Sequence, residues 1–368
     1  MSSVVFGPYC TQILADFGAE VIKVEAPTGD VFRYGAKSAQ SKGMAPGHIA
    51  LNRGKKSVVL DLKQANDAAA MKKLIEDADI FIHNVRLDAI TRLGFDYDSI
   101  RKFAPKILYV HCVGFGSEGP YEGLQAYDDV IQAASGTATL LSRVDGDPRP
   151  RYFPSLIADK VAGLHAAYAV MAGLIHRMRT GKGQFIEVPM FEAFTNFMLK
   201  EHLGGRTFEP PVGPDCYARQ IDPHRQPFPT ADGYISIVPY QISQFGKVVA
   251  ILGDPDFEKQ EQFSTPVGLL KGQGEFYRRI GELTCNYKTE ELVRLMHSHS
   301  IPAMAVRDIA EMTDDPHLNA VGFFFRREDW SEGTTVEMRE PSRFSEWEPE
   351  RPDPAPLLGE HDNKYLAR

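Results

Sequence analysis

Thr11-Gln-Ile-Leu-Ala-Asp-Phe17, followed after a three-residue break by Val21-Ile-Lys-Val24, decides the fold class of this chain. The first stretch carries apolar residues at helical spacing, and the second is a short β-branched run of strand type. The alternation continues outward from there. Residues 57–60 read as a strand, 65–76 as a helix, 80–82 as a strand, 88–93 as a short helix and 107–113 as a strong apolar strand. Strands alternating with helices in this rhythm predict a parallel sheet covered on both faces.

Over residues 156–179, Val161, Leu164, Tyr168, Met171, Ile175 and Met178 recur three and four apart, which predicts a long buried helix. Thr180-Gly-Lys-Gly183 ends it, and 184–188 reads as a further strand. Residues 204–229 are rich in Pro and Gly and are taken as a linker leaving a large domain of residues 1–203. A smaller α/β domain follows over 230–305, with the Asp232-Gly233 turn, a strand at 234–238 and helices near 243–252, 276–284 and 290–297. Residues 306–368 complete the chain, and the Pro-rich, charged part over 340–356 is expected on the surface.

With 368 residues, 43% of them hydrophobic and 24% charged, the chain lies in the range of folded globular proteins and is long enough for two domains. A formal charge of -8 argues against a surface built to wrap nucleic acid. Cys10, Cys112, Cys216 and Cys285 are far apart and form no pair with metal-ligand spacing, so no metal site is expected and a reduced, cytoplasmic setting fits. The longest largely apolar stretch, 161–175, is too short to span a bilayer, and no secretory leader pattern opens the chain, so a soluble protein is expected.

Gly114-Phe-Gly-Ser-Glu-Gly119 matches the dinucleotide-binding fingerprint and follows a predicted strand. That fingerprint requires a helix to open at the glycines, whereas Pro120-Tyr-Glu-Gly123 continues as loop, and the acidic residue about 20 positions on is missing. A nicotinamide-dependent dehydrogenase is set aside. Asp159 lies at the start of the long helix, where the dipole favours a carboxylate, and taken alone it reads as an ordinary first-turn acid. Asn52-Arg-Gly-Lys-Lys-Ser57, with Lys63 and Arg92, could hold phosphates of a nucleotide-like ligand, and reads equally as a solvated basic loop. His165 stands six residues after Asp159, off its face, and is expected to be a buried structural histidine; Cys10 is read as a small buried residue rather than a reactive thiol.

Taken together, Gly7-Pro8 with residues 14–25, Asn52 to Lys63, Asp79 to Asn84, Gly114 to Pro120, Ala126-Tyr-Asp128, Asp159 to His165, Thr180 to Gln184, Asp315-Pro-His-Leu318 and Ala355 to His361 resemble the class III CoA-transferases. That group includes formyl-CoA transferase and carnitine CoA-transferase and shares its fold with alpha-methylacyl-CoA racemase. The resemblance implies a doubly wound, largely parallel, Rossmann-like large domain that binds CoA, a small α/β domain, a C-terminal segment returning to the large domain, and an interlocked-ring homodimer. It implies transfer of CoA from an acyl-CoA to a carboxylic acid, with Asp159 as the nucleophile forming an aspartyl anhydride and an aspartyl-CoA thioester. Val5, Phe6, Leu60, Lys63, Asn84, Val85, Arg92 and Tyr127 match positions lining the CoA groove. Coenzyme A enters as substrate, and no tightly bound cofactor is expected.

The chain departs from the family pattern in three places. It shows no strand ahead of the Gly7-Pro8 turn, so the first strand is expected to be absent or to lie upstream. Val5 and Ala26 stand where formyl-CoA transferase has glutamine and arginine, and 238–245 holds no glycine-rich flap, which argues against formyl or oxalyl substrates. A racemase is the alternative, but Tyr127 replaces its histidine and 238–245 contains no acidic residue to support one. A catalytically silent CoA-binding protein is the other alternative, and the retained Asp159 argues against it.

Overall fold

The computed structural model describes residues 1–349 and 351–366, apart from the side chains of Ile242 and Leu270. The chain divides into two compact units: Met1–Ala138 with Tyr152–Met198 and Pro316–Arg368, and Thr139–Arg151 with Leu199–Asp315.

The first unit opens with α1 (Phe6–Asp16), β1 (Val21–Glu25), α2 (Pro46–Asn52) and β2 (Lys55–Val59). It continues with α3 (Ala65–Glu76), β3 (Ile80–His83), α4 (Leu87–Arg92), α5 (Tyr97–Ile100), β4 (Leu108–Val113) and α6 (Asp128–Ala134). After α7 (Leu140–Asp145), which belongs to the second unit, come α8 (Ile157–Thr180) and β5 (Gln184–Pro189). The predicted βα alternation is present, with α1 beginning five residues before its predicted start at Thr11. Pro8 sits in its first turn, where a missing N–H costs nothing, so the proline that breaks a periodic reading is compatible with the helix.

All pairing among β1 to β5 is parallel, in two separate pieces, β1-β2 and β3-β4-β5. Among the described residues no strand joins them, which corrects the expectation of one sheet. Residues 1–3 touch both pieces: Met1 N donates to Ile82 O at 3.0 Å, Lys23 Nζ donates to Ser2 O at 2.9 Å, and Asn84 exchanges two hydrogen bonds with the Ser3 backbone.

The helix α8 also corrects the sequence reading. Its length is as expected, but Leu164, Tyr168, Met171, Ile175 and Met178 are exposed, Met178 at 84%. The buried face is made of Ala158, Asp159, Ala162, Gly163, Ala166, Ala167, Val170 and Gly173. The physical reason is close approach. A Cβ on Gly163 would lie 3.0 Å from Phe6 O and 2.9 Å from Tyr9 Cδ1 of α1, and one on Gly173 would lie 2.7 Å from Ile186 Cδ1 of β5. Only small side chains fit there, so the bulky ones fall on the opposite face. These small residues share a core with Phe6, Cys10, Leu14, Val110, Cys112, Ile131, Val188 and Phe194.

A second core in the same unit gathers Val58, Leu60, Met71, Ile75, Phe81, Ile90, Ile100 and Tyr109 beneath α3, α4 and α5. The chain returns to this unit with α14 (Pro316–Ala320) and the antiparallel hairpin β9 (Phe324–Asp329) and β10 (Gly333–Met338). Residues 341–348 are exposed as expected, whereas Ala355 is buried. The end of the chain is tied to β2, through Gly54 N to Asp353 O at 2.7 Å and Val59 N to Asp362 Oδ1 at 2.8 Å, and closes with α15 (Asp362–Tyr365).

The chain leaves the first unit within α9 (Met190–His202). In the second unit, β6 (Phe228–Pro229), β7 (Tyr234–Ile237) and β8 (Ala303–Ala305) form an antiparallel sheet. Around it stand α10 (Ile242–Ile251), α11 (Pro266–Lys271), α12 (Gln273–Thr284) and α13 (Thr289–Ser298), closing a core of Phe228, Ile235, Phe245, Val248, Phe276, Ile280, Leu292 and Met296. No described helix is long and apolar enough to cross a membrane.

The α1–α8 contact yields a direct test. Gly163→Leu should cost about 1–3 kcal/mol of stability by overpacking, despite removing a glycine from a helix. Urea unfolding should show the midpoint falling with little change in slope.

Candidate functional site

The site is built where α1, α6 and α8 meet. Leu156 precedes α8 with no capping bond from its side chain, leaving the first N–H groups of the helix to find partners elsewhere. One partner comes from α6, where Asp128 Oδ2 accepts from Asp159 N at 3.0 Å. Asp128 thus caps α8 from another helix. Its other oxygen accepts from Gln132 Nε2 at 2.6 Å, and Gln132 also bonds the loop ahead of α8, through Phe153 N at 2.8 Å and the Phe153 and Ser155 carbonyls, each at 3.3 Å. These bonds place Asp159 before its side chain makes any contact.

The Asp159 carboxylate points to the start of α1, where Oδ1 accepts from Phe6 N at 3.2 Å. Oδ2 makes no hydrogen bond with any described residue. Asp159 is 6% exposed and Asp128 3%. Burial, with the neighbouring Asp128 charge, pushes the Asp159 carboxyl up to about 7, against the Phe6 N–H that favours the anion. α1 brings no acidic side chain to this end. A carboxyl group with one oxygen held by a backbone N–H, the other uncommitted, and an ionisation near neutrality has the attributes of a functional acid.

The expected groove residues are distributed as follows. Val5 and Phe6 are buried at the head of α1, beside Asp159. Tyr127 is 64% exposed and immediately precedes Asp128. Leu60 is buried and Val85 packs against the same second core. Asn84 binds Ser3. Lys63 and Arg92 are exposed, Arg92 pairing with Asp88 at 3.1 Å.

The basic run resolves differently from either sequence reading. Arg53 is buried against Asp16, with Nη2–Oδ2 at 2.6 Å. Lys55 is buried and donates to Pro8 O at 2.8 Å and Asn52 Oδ1 at 3.0 Å. Lys56 pairs with Asp353 at 2.6 Å. All three hold the chain to itself. His165 is half-buried rather than buried, its ring centroid 4.4 Å from that of Tyr168 with the two planes tilted by 46°. Cys10 is fully buried, which pushes its thiol up to about 12 and keeps it unreactive. Gln132 was invisible in the sequence, because its only signal is a spacing of four from Asp128 on a helix not predicted there.

The model of CoA-transferase family III matches residues 1–362. The chain belongs to that family. It is 31% identical to a succinate–glutarate CoA-transferase of Agrobacterium fabrum, over 100% of this chain and 93% of the relative. It is 30% identical to a formyl-CoA:oxalate CoA-transferase of Escherichia coli, over 98% of this chain and 91% of the relative. A crystal structure of a CAIB/BAIF family protein from Brucella suis superposes with a TM-score of 0.83 at 28% identity, covering 99% of this chain and 95% of that one. The protein is accordingly an enzyme, a CoA-transferase that works on CoA thioesters, with a mixed α/β fold containing parallel sheets.

The raised Asp159 ionisation predicts a pH-dependent stability cost. A carboxyl whose folded value lies above its ordinary 3.8 contributes stability that is fully present below that value and lost as pH rises through about 7. Asp159→Asn removes the charge, so its thermal unfolding temperature should exceed wild type by a margin that grows between pH 4 and 7 and then levels off. Equal margins at pH 4 and 8 would contradict the burial argument.

Proposed function

We propose that this transferase moves CoA from an acyl-CoA to a carboxylic acid with Asp159 as a covalent nucleophile. The observation that carries the reading is the Asp159 carboxylate itself, buried, bonded to Phe6 N through Oδ1 and uncommitted at Oδ2. Oδ2 attacks the thioester carbonyl, and collapse of the tetrahedral oxyanion expels CoA thiolate and leaves a mixed anhydride. The thiolate then attacks the aspartyl carbonyl carbon, releases the donor acid and leaves an aspartyl-CoA thioester. An acceptor carboxylate attacks that thioester, CoA leaves again, and the thiolate takes the acceptor acyl group from the second anhydride, freeing Asp159.

At each attack on the aspartyl carbonyl the developing negative charge falls on Oδ1, where the Phe6 N–H already donates, so one oxyanion donor is in place from the start. Attack requires the ionised carboxylate, so turnover should rise with pH through about 7. The cytoplasm is the setting proposed, with Val5, Phe6, Leu60, Lys63, Asn84, Val85, Arg92 and Tyr127 as the CoA-facing positions. Of the relatives' named substrates, succinate and glutarate suit this chain better than formyl-CoA and oxalate, against which Val5, Ala26 and the missing flap argue.

Asp159→Ala and Asp159→Asn should lower transfer at least about a thousandfold while CoA binding persists. Incubating wild type with an acyl-CoA and hydroxylamine should place a hydroxamate on the peptide that carries Asp159, read by mass spectrometry. Near wild-type turnover in Asp159→Ala would end the mechanism.

A homodimer, of the interlocked-ring kind, is part of the same proposal. Leu164, Tyr168, Met171, Ile175 and Met178 form an apolar stripe along α8 that is exposed in the single chain, and a second copy of the chain would cover it. Light scattering should return the dimer mass at micromolar concentration, and Met171→Glu with Ile175→Glu should weaken it.

A further inference from the structure

The residues just ahead of α1 fold back in a tight hook. Val4 has φ +67°, a left-handed conformation that a β-branched side chain resists; the other described non-glycine residues with positive φ are Cys216 and Ser300. Two positions on, the Phe6 N–H donates to Asp159 Oδ1, so the strained residue stands directly behind the donor. Val5, between them, gives α1 no side-chain cap. A Cβ on Gly7 would collide with Ser2 Cβ, so the hook lies close against the first turn of the helix. Such a conformation persists only where the surroundings fix it, and strain of this kind gathers at working sites.

What fixes it comes from β1 and the loop after it. Asp30 Oδ1 accepts from Val4 N at 3.1 Å and from Phe32 N at 3.0 Å. Its Oδ2 pairs with Lys23 Nζ at 2.9 Å, and Lys23 donates in turn to Ser2 O at 2.9 Å. Both side chains are buried, and the Asp30 backbone is tied to Glu25 Oε1 at 3.1 Å, so the anchor itself has little freedom. Asn84 holds Ser3 through two further bonds. Rotating Val4 to an ordinary φ would break the Asp30 bond and swing the Phe6 N–H relative to the carboxylate.

We propose that Asp30 is a positioning residue of the transfer reaction: by holding Val4 in its left-handed conformation, it keeps the Phe6 N–H aimed at Asp159 Oδ1. The proposal rests on the reading of Asp159 as nucleophile and adds to it the device that holds the oxyanion donor in place.

The test separates backbone conformation from side chain. Val4→Gly, which adopts positive φ freely, should keep kcat near wild type, whereas Val4→Pro, locked at negative φ and without an N–H, should lower it about tenfold or more. Asp30→Ala combined with Lys23→Met removes the anchor without leaving a buried charge unpaired, and should show the same fall. Adding Val4→Gly to that pair should restore part of the turnover, because glycine needs no anchor; this comparison stands even if Val4→Pro fails to fold. A second arm titrates the Asp159 carboxyl by 13C NMR, its signal assigned by its loss in Asp159→Asn. The Phe6 N–H favours the anion, and the facing charge of Asp128 is untouched in every variant, so the midpoint should rise above about 7 wherever the hook is released and stay put in Val4→Gly. This arm needs no turnover, so a failure of the Asp159 mechanism is seen apart from a failure of the hook. Equal losses in Val4→Gly and Val4→Pro, no recovery when Val4→Gly joins the pair, or a fall in kcat with an unmoved Asp159 midpoint overturns the proposal.

Discussion

The close seating of α8 on α1 is the constraint on which the site depends. It brings the backbone N–H of Phe6 to within 3.2 Å of Asp159 Oδ1, and it is possible only because α8 presents Ala158, Ala162, Gly163 and Ala166 to its neighbour. Dispersion and burial at that seam are spread over small groups, so no single side chain anchors it, yet any added volume is felt directly at the backbone of Phe6. The same seam sends the large apolar residues of α8 outward, which ties the geometry of the site to an exposed apolar stripe on the opposite face of that helix.

A second constraint is the buried ionic network behind α1. The Arg33 fork binds both oxygens of Glu25 at 2.8 and 2.7 Å, Ser57 Oγ adds a bond at 2.8 Å, and Lys23 pairs with Asp30 at 2.9 Å. Burial works to raise the Glu25 carboxyl, and the Arg33, Lys23 and Ser57 contacts outweigh it, holding it at about 2. Charges taken out of water cost several kcal/mol each and are repaid only where every lone pair is met, so such a network specifies one arrangement more than it adds stability. Asp30 shows this economy of use: it binds Lys23 through Oδ2 and Val4 N through Oδ1, fixing the chain just ahead of Phe6.

Asp128 and Gln132 give the site its electrical character. A capping aspartate normally relieves the N-terminus of its own helix; here it relieves α8 from α6 and at the same time sets a negative charge beside Asp159. Positioning and the raised ionisation therefore share one cause. The arrangement stores a cost in the folded state that a neutral residue at 159 would avoid.

Much of this was legible in the sequence. The alternation of helix and strand, the α3 helix at its exact bounds and the placement of Asp159 at the head of a long helix follow from periodicity, which is a local property of the chain. What periodicity could not decide was which face of α8 turns inward, because bulk predicts burial only where the neighbour leaves room. Nor could it distinguish a phosphate-binding basic run from Arg53 and Lys55 buried against Asp16 and Pro8, since the partners lie 37 and 47 residues away. The Phe6 N–H donor, 153 residues from Asp159, and the Asp128 cap, 31 residues from it, exist only once the helices have packed. The sequence by itself determined most of the helices and strands and set an acid at the head of α8; tertiary structure alone decided that acid's partners and its ionisation, because desolvation and Coulomb interaction depend on distance through space and not along the chain.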